Sequence, residues 1–218
     1  MVRAVIFDMD GLMVDSEPVW KKAWELALAK EGMSLKPGFS EALTGSARQR
    51  SLQLTHKFYG EEISADRAFD AHYRIAERLF VEEGAPKKPG LLELLETLSS
   101  ADVKLAVASS TGRSSVEAIL AHAKVQDYFS VIKTGDEGLA SKPASDIFLA
   151  AADDLGVSPN ESWVLEDSPA GINAALAGGF FPIMVPDLVQ LDNRLSKKIK
   201  VCKSLFEVRD LFVRSIVA

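Results

Sequence analysis

The sequence is poor in the features that mark several large classes of protein. Among 218 residues there is one cysteine, Cys202, so no intrachain disulfide can form. That excludes a small disulfide-stapled scaffold and points to a reducing compartment. With nothing nearby to lower its pKa, Cys202 reads as a small core residue. Only three histidines are present, His56, His72 and His122. No two share metal-ligand spacing, and each is expected to be a surface or half-buried residue. An excess of basic charge is lacking too: 25 Lys+Arg stand against 31 Asp+Glu, a net charge of −6. Nucleic-acid and membrane-surface binders carry basic patches that this balance does not supply, so neither partner is expected. Lys87 with Lys88, and Lys197, Lys198 and Lys200, read as solvated surface. No apolar run is long enough to cross a membrane. The first, residues 2–7, is broken by Arg3 and stops at Asp8, too short and too acidic for an export signal. A cytoplasmic monomer is the expectation, and the sequon at Asn160 reads as chance. No repeat or low-complexity tract is found, and 47% apolar residues suffice for a sizeable core.

What is present falls into two patterns. Residues 2–7 read as a short buried strand. A helix over 17–30 follows, with Ser16 as N-cap, Pro18 in the first turn and Gly32 at its end. Its apolar stripe is Trp20, Ala23, Trp24, Ala27 and Leu28. Residues 36–84 hold no convincing strand but two helices, 48–59 and 64–83. The second carries Phe69, Tyr73, Ala76, Leu79 and Phe80 on one stripe. After a Pro-rich linker at 85–90 the pattern alternates: helices at 91–99, 114–123, 144–155 and 169–177, strands at 104–108, within 128–133, at 163–165 and at 182–185. Ser204 and Glu207 form a capping box opening a last helix. Alternation of this kind implies βαβ units and a parallel sheet covered on both faces. The expected architecture is α/β, a Rossmann-like doubly wound parallel sheet interrupted by an all-helical domain. The core domain is expected at 1–14 and 86–218, the helical domain at 15–85. The insertion leaves from the carboxyl end of the first strand, where open α/β sheets bind ligands, so it is expected to act as a lid. Its hinges are expected at 14–15 and 85–89.

The same strand ends carry the chemistry-bearing residues. The first strand runs into Asp8, Asp10 and Gly11; the 104–108 strand ends in Ser109, Ser110 and Thr111; Lys142 precedes a helix; the 163–165 strand ends in Glu166 and Asp167. Taken singly, each is an ordinary turn, cap or surface residue. Together they are a set of carboxylates that repel unless a cation joins them. Oxygen ligands without His or Cys suit a hard ion, Mg²⁺ above all. Lys142 and the hydroxyls of Ser109 and Thr111 suit a phosphate. A carboxylate can act as nucleophile, and two aspartates separated by one residue allow one to attack while the other moves protons.

At these residues the sequence resembles the haloacid dehalogenase superfamily over nearly its whole length. Residues 8–17 look like its first motif, Ser109 its second, Lys142 its third, and 166–171 its fourth; relatives usually show GKPxPDIF where this chain has SKPASDIF. The helical insertion is similar to the family's small cap domain. The resemblance implies that Asp8 attacks a phosphate and forms an aspartyl phosphate, while Asp10 serves as general acid and then base. It implies Mg²⁺ held by Asp8, the Asp10 carbonyl and Asp167, with Glu166 at or beside the metal, and phosphate held by Ser109, Ser110 and Lys142. Members that cleave carbon–halogen or carbon–phosphorus bonds lack the second aspartate, so Asp10 favours phosphate esters. The subgroup it is most similar to contains β-phosphoglucomutase and sugar-phosphate phosphatases. Trp24 and Arg48, the latter within residues 44–48, resemble cap positions that meet substrate. Mutases carry a His where this chain has Trp20, so residues 15–20 look more like the phosphatases. A Mg²⁺-dependent phosphatase of a small phosphorylated metabolite is therefore expected, with a phosphohexomutase as the alternative. A non-catalytic phospho-acceptor switch is a further alternative, disfavoured because such domains lack a helical insertion.

Overall fold

The computed structural model describes residues 2–43, 48–187 and 199–217. It divides into two compact units, Met1–Asp15 with Ala85–Ala218, and Ser16–Gly84. In the larger unit the described strands are β1 (Ala4–Phe7), β2 (Lys104–Ala108), β3 (Val131–Lys133), β4 (Ser162–Glu166), β5 (Phe181–Met184) and β6 (Lys200–Val201). They form one sheet in the order β3-β2-β1-β4-β5-β6, all parallel. β1 is central, its residues Ala4 to Phe7 paired with Lys104 to Val107 on one side and Ser162 to Leu165 on the other. All four of its side chains are buried, as a strand covered on both faces requires. The order reverses between β1 and β4, which makes their carboxyl ends the topological switch point of the sheet.

The described helices of the larger unit cover both faces. They are α5 (Leu91–Ser100), α6 (Arg113–Ala123), α7 (Asp146–Leu155), α8 (Pro169–Ala177) and α9 (Leu205–Val217), numbered after α1–α4 of the smaller unit. On one face Phe148, Ala151, Ala152 and Leu155 of α7 pack with Ile6, Ala106, Ala108 and Val164 of the strands. Gly156 ends α7 in the left-handed region at φ +65°, which a glycine adopts at no steric cost. Ser204 caps α9 through the Glu207 amide at 3.4 Å. Glu207 reaches back to the Lys203 amide rather than to that of Ser204, so the expected capping box closes one residue early. β6, with two residues, is too short to show a period in the sequence. Lys200 lies on it, exposed, as charged residues on edge strands do. Cys202 is buried beside it, and burial pushes its thiol up. Lys197 and Lys198 lie outside the described residues.

The smaller unit contains α1 (Glu17–Lys30), α2 (Phe39–Leu43), α3 (Arg48–Tyr59) and α4 (Ala65–Glu83). Its core joins Trp24, Leu28, Phe39, Leu43, Leu54, Ile63, Ala68 and Phe69. Ser16 does not cap α1 as expected. Its own backbone is already helical (φ −86°, ψ −15°), whereas a side-chain cap needs an extended residue. On α4 the expected stripe holds at Phe69, Ala76, Leu79 and Phe80 and fails at one position: Tyr73 is 51% exposed, and His72 is buried instead. His72 therefore corrects the expectation of a surface or half-buried histidine. Its ring stacks on Trp24 at 4.1 Å and meets Trp20 at 5.3 Å. Among the described residues neither ring nitrogen has a hydrogen-bond partner. Burial drives the imidazole down to about 3, against a weaker pull from the Trp20 backbone that falls short of hydrogen-bonding geometry. Where the chain crosses between units, residues 13–15 and 86–88 are paired: Asp15 N donates to Pro86 O and Lys88 N to Met13 O, both at 2.8 Å. Among the described residues no helix is long and apolar enough to cross a membrane.

His72 makes a pH signature. Above an unfolded-state pKa near 6.5 the imidazole is neutral in both states and contributes no pH dependence. Below it the unfolded chain takes up a proton that the folded chain refuses until about pH 3, so stability falls as pH drops. One and a half pH units amount to about 2 kcal/mol lost between pH 6.5 and pH 5. His72→Phe should flatten that part of the profile. Denaturant unfolding of the intact chain at both pH values checks this, and an unchanged slope contradicts it.

Candidate active site

β1 ends one residue before Asp8, whose amide donates to Leu165 O of β4 at 2.9 Å. This bond carries the first acid past the sheet edge and sets it beside the acids that follow β4. The turn then tightens: Gly11 N donates to Val14 O at 2.9 Å, with Gly11 at φ +80°. A Cβ on Gly11 would overlap the Asp167 carboxylate, so the missing side chain is what lets Asp167 lie against this loop. Sequence, turn and acid placement are thus one arrangement.

Lys142 organises the acids. Its ammonium donates to Asp8 Oδ1, to Glu166 Oε1 at 2.8 Å and to Ala108 O at 3.2 Å, which uses all three of its protons. It also lies 4.8 Å from the centre of the Phe148 ring. Burial works against the ammonium, but Asp8 and Glu166 together outweigh it and hold its pKa above the ordinary lysine value. Glu166 is 1% exposed. Its other oxygen, Oε2, accepts from the Ser168 amide and hydroxyl, both at 2.8 Å. The Ser168 hydroxyl in turn accepts from Gly171 N at 3.1 Å and so caps α8. Asp8 is pushed up to about 8, first by burial and then by the Glu166 and Asp10 charges, with Lys142 opposing. Asp167 is pushed up to about 9, again first by burial and then by Asp8 and Glu166.

Asp10 faces a different way. Its Oδ2 accepts from Thr111 Oγ1 at 2.8 Å and from Ser109 Oγ at 3.3 Å, while its buried Oδ1 has no hydrogen-bond partner among the described residues. The two hydroxyls that looked suited to a phosphate are thus on Asp10. Ser110, also expected at a phosphate, is exposed and lines a cavity of about 40 Å³ with Thr134, Gly135, Ser141 and Lys142.

The acids bear on a possible metal. Among the described residues no group of three or more His, Cys, Asp or Glu side chains is arranged to hold one outright. Glu166, expected among the ligands, has Lys142 and Ser168 on its two oxygens instead. What remains is Asp8, buried, beside Asp167, half-buried, whose pKa the Asp8 charge helps to raise, with no nitrogen or sulfur ligand among the described residues. Mg²⁺ takes one or two carboxylates and fills its other positions with water and substrate oxygens, so this donor set fits it.

The residues expected to select substrate lie in the helical unit. Trp24 is 3% exposed, edge-on to Phe39 and Phe69 and stacked on His72, so its surface is taken up by packing rather than open to a ligand. Arg48 is exposed and already engaged: it donates to Asp70 at 2.6 Å and Asp66 at 2.9 Å, with its guanidinium 4.7 Å over the Phe69 ring. Residues 44–47, which accompany it in the resemblance, lie outside the described residues. One acid was missed altogether. Asp187 follows β5, bonds Lys88 Nζ at 2.6 Å and adds to the charge around Asp167. Its signal was its place, since it too follows the carboxyl end of a strand.

A family model described as haloacid dehalogenase-like hydrolase matches residues 5–185. The chain belongs to that family. Among curated relatives it is 32% identical over 183 residues to the fructose-1-phosphate phosphatase YqaB of Escherichia coli, covering 80% of this chain and 92% of that protein. It is 30% identical over 195 residues to the protein CbbY of Rhodobacter capsulatus, covering 85% and 86%. Among solved structures it resembles a β-phosphoglucomutase from Clostridium difficile with a TM-score of 0.75, 26% identity and complete coverage of both chains. The family assignment accords with the doubly wound sheet and inserted helical domain described above.

Gly171 gives a direct test of the geometry. A Cβ there would overlap the Glu166 carboxylate. Gly171→Ala should lower stability by roughly 1–3 kcal/mol, the usual cost of overpacking. A denaturation midpoint equal to that of the parent chain contradicts this close approach.

Proposed function

We propose that the chain is a Mg²⁺-dependent phosphatase of small phosphorylated metabolites, sugar phosphates first among them. The observation that carries this reading is the pairing of two aspartates in unlike surroundings at the switch point: Asp8 against an ammonium and other carboxylates, Asp10 against hydroxyls. The YqaB relative's named activity on fructose 1-phosphate supports the substrate class.

In this reading an Asp8 oxygen attacks phosphorus, a P–O bond forms to Asp8, and the bond to the ester oxygen breaks. Asp10 gives its proton to that departing oxygen. It then takes a proton from the water that attacks the aspartyl phosphate, which releases phosphate and restores Asp8. Lys142, with Ser110, holds the phosphoryl oxygens and offsets their charge, the Ser109 hydroxyl being turned to Asp10. Asp8, Asp167 and the Asp10 main-chain carbonyl would hold Mg²⁺, with Glu166 behind them fixing Lys142. When bound, the cation supplies charge neutralisation at the acids and the phosphoryl oxygens. Because phosphoryl transfer depends on positioning and electrostatics, rigid placement of Asp8 and Lys142 is the main requirement on the protein.

Phosphate release from a panel of phosphate esters with Mg²⁺, including fructose 1-phosphate and β-glucose 1-phosphate, tests this reading. Turnover is expected for at least one sugar phosphate, and Asp8→Asn should lower it by at least about 10³-fold. Chelation should abolish turnover and added Mg²⁺ restore it. No release from any ester overturns the proposal. Glucose 6-phosphate formed from β-glucose 1-phosphate faster than free phosphate, with a bisphosphate primer, replaces it with a mutase.

A further inference from the structure

The hydroxyl of Thr111 is placed with more care than a turn residue needs. The backbone on both sides of it is fixed: Thr111 N donates to Ser109 Oγ at 3.0 Å, and Thr111 O accepts from Gly135 N at 3.0 Å. At Gly135 a Cβ would overlap the Ser110 carbonyl, so the loops after β2 and β3 meet backbone to backbone. Ser109 is itself wholly buried, its amide donating to Lys133 O at 3.0 Å. The result is a rigid arm that ends in Thr111 Oγ1, 2.8 Å from Asp10 Oδ2. Ser109 Oγ lies 3.3 Å from the same oxygen. The other oxygen, Oδ1, is buried and has no hydrogen-bond partner among the described residues.

This asymmetry has a chemical meaning. An oxygen that accepts from two hydroxyls is the poorer place for a proton, and those same bonds fix the carboxyl rotamer. We propose that Thr111 is a positioning residue for Asp10: its hydroxyl ties down Oδ2 and leaves Oδ1 as the oxygen that exchanges protons with the reacting group. The inference rests on the reading of Asp10 as general acid. In the first half-reaction the proton passes from Asp10 Oδ1 to the ester oxygen as its bond to phosphorus breaks. In the second, Oδ1 takes a proton from water as the new P–O bond forms and the bond to Asp8 breaks.

Leaving-group dependence provides a test that a merely structural role would not satisfy. A sugar alkoxide needs a proton to depart, whereas p-nitrophenolate departs without one. kcat/KM reports only the steps through ester cleavage and so isolates the acid function. Thr111→Val and Thr111→Ala both remove the hydroxyl, one keeping the bulk and one reducing it; Thr111→Ser keeps the hydroxyl. Each is compared with Asp10→Asn, on p-nitrophenyl phosphate and on the best sugar phosphate of the panel. Asp10→Asn should lose about 10²–10³-fold on the sugar phosphate. Both hydroxyl-free variants should lose roughly tenfold there and stay within about twofold on p-nitrophenyl phosphate, with Thr111→Ser near the parent enzyme on both. Equal losses on the two substrates, or none on either, overturn the role of Thr111 while Asp10→Asn remains selective. An Asp10→Asn variant that shows no selectivity overturns the acid role and the inference with it.

Discussion

The candidate site depends on one buried ammonium. Without Lys142, the carboxylates of Asp8 and Glu166 would lie together at the sheet edge, each desolvated and each raising the other's free energy. With it, both have a charged hydrogen-bond partner, and the third proton goes to a strand carbonyl. Removing one member of such a buried set typically costs about 3–5 kcal/mol, because the charges left behind are uncompensated. Much of the local sequence follows from holding that arrangement. Ser168 occupies the second oxygen of Glu166 while capping α8, and Gly171 lacks the side chain that would collide with it. Phe148 places an aromatic ring beside the ammonium while packing α7 on the sheet. The same residues that build the fold thus fix the charge at its switch point.

Two aspartates two residues apart have been given unlike neighbours. Asp8 stands among other acids, beside Lys142, where burial raises its pKa and a bound cation would relieve the repulsion with Asp167. Asp10 stands against neutral hydroxyls. A group that must attack phosphorus benefits from a cationic surround that also receives the phosphoryl charge. A group that must give and take a proton benefits from hydrogen bonds that fix its geometry without fixing its charge. The environments therefore match the two roles.

Much of this was legible in the residue order. The strands over 104–108 and near 162–166 announced themselves by short apolar runs, and α1 and α8 by Pro near the start and Gly near or at the end. The acids, hydroxyls and lysine at successive strand ends identified the edge that matters, because parallel topology leaves few other ways to connect such a pattern. What the pattern could not carry was the partner of each side chain. Glu166 and Asp167 are neighbours of like chemistry, yet one is turned to Lys142 and Ser168 while the other lies against Gly11. That choice is made by the cap of α8 and by the space at Gly11, neither of which has a period. His72 was misplaced for a related reason. The stripe on α4 takes in His72 in place of Tyr73 while its other members stay, and stacking on Trp24, not helical spacing, decides which ring is inside. Trp24 itself looked like a substrate contact through resemblance, while its surroundings make it core. Thr111 and Asp187 carried the right kind of atom at the right edge, and only the three-dimensional arrangement shows Thr111 on Asp10 and Asp187 on Lys88.

The central claim is that Asp8 is the atom-donating nucleophile, not one metal ligand among several. Acid quenching during turnover of a sugar phosphate, followed by peptide mass spectrometry, tests it most directly. The account predicts a phosphoryl group on the peptide carrying Asp8, located on that residue and removed by hydroxylamine as an acyl phosphate should be. A phosphoryl group on any other residue, or alcohol and phosphate released in step with no acyl phosphate at any quench time, would contradict it.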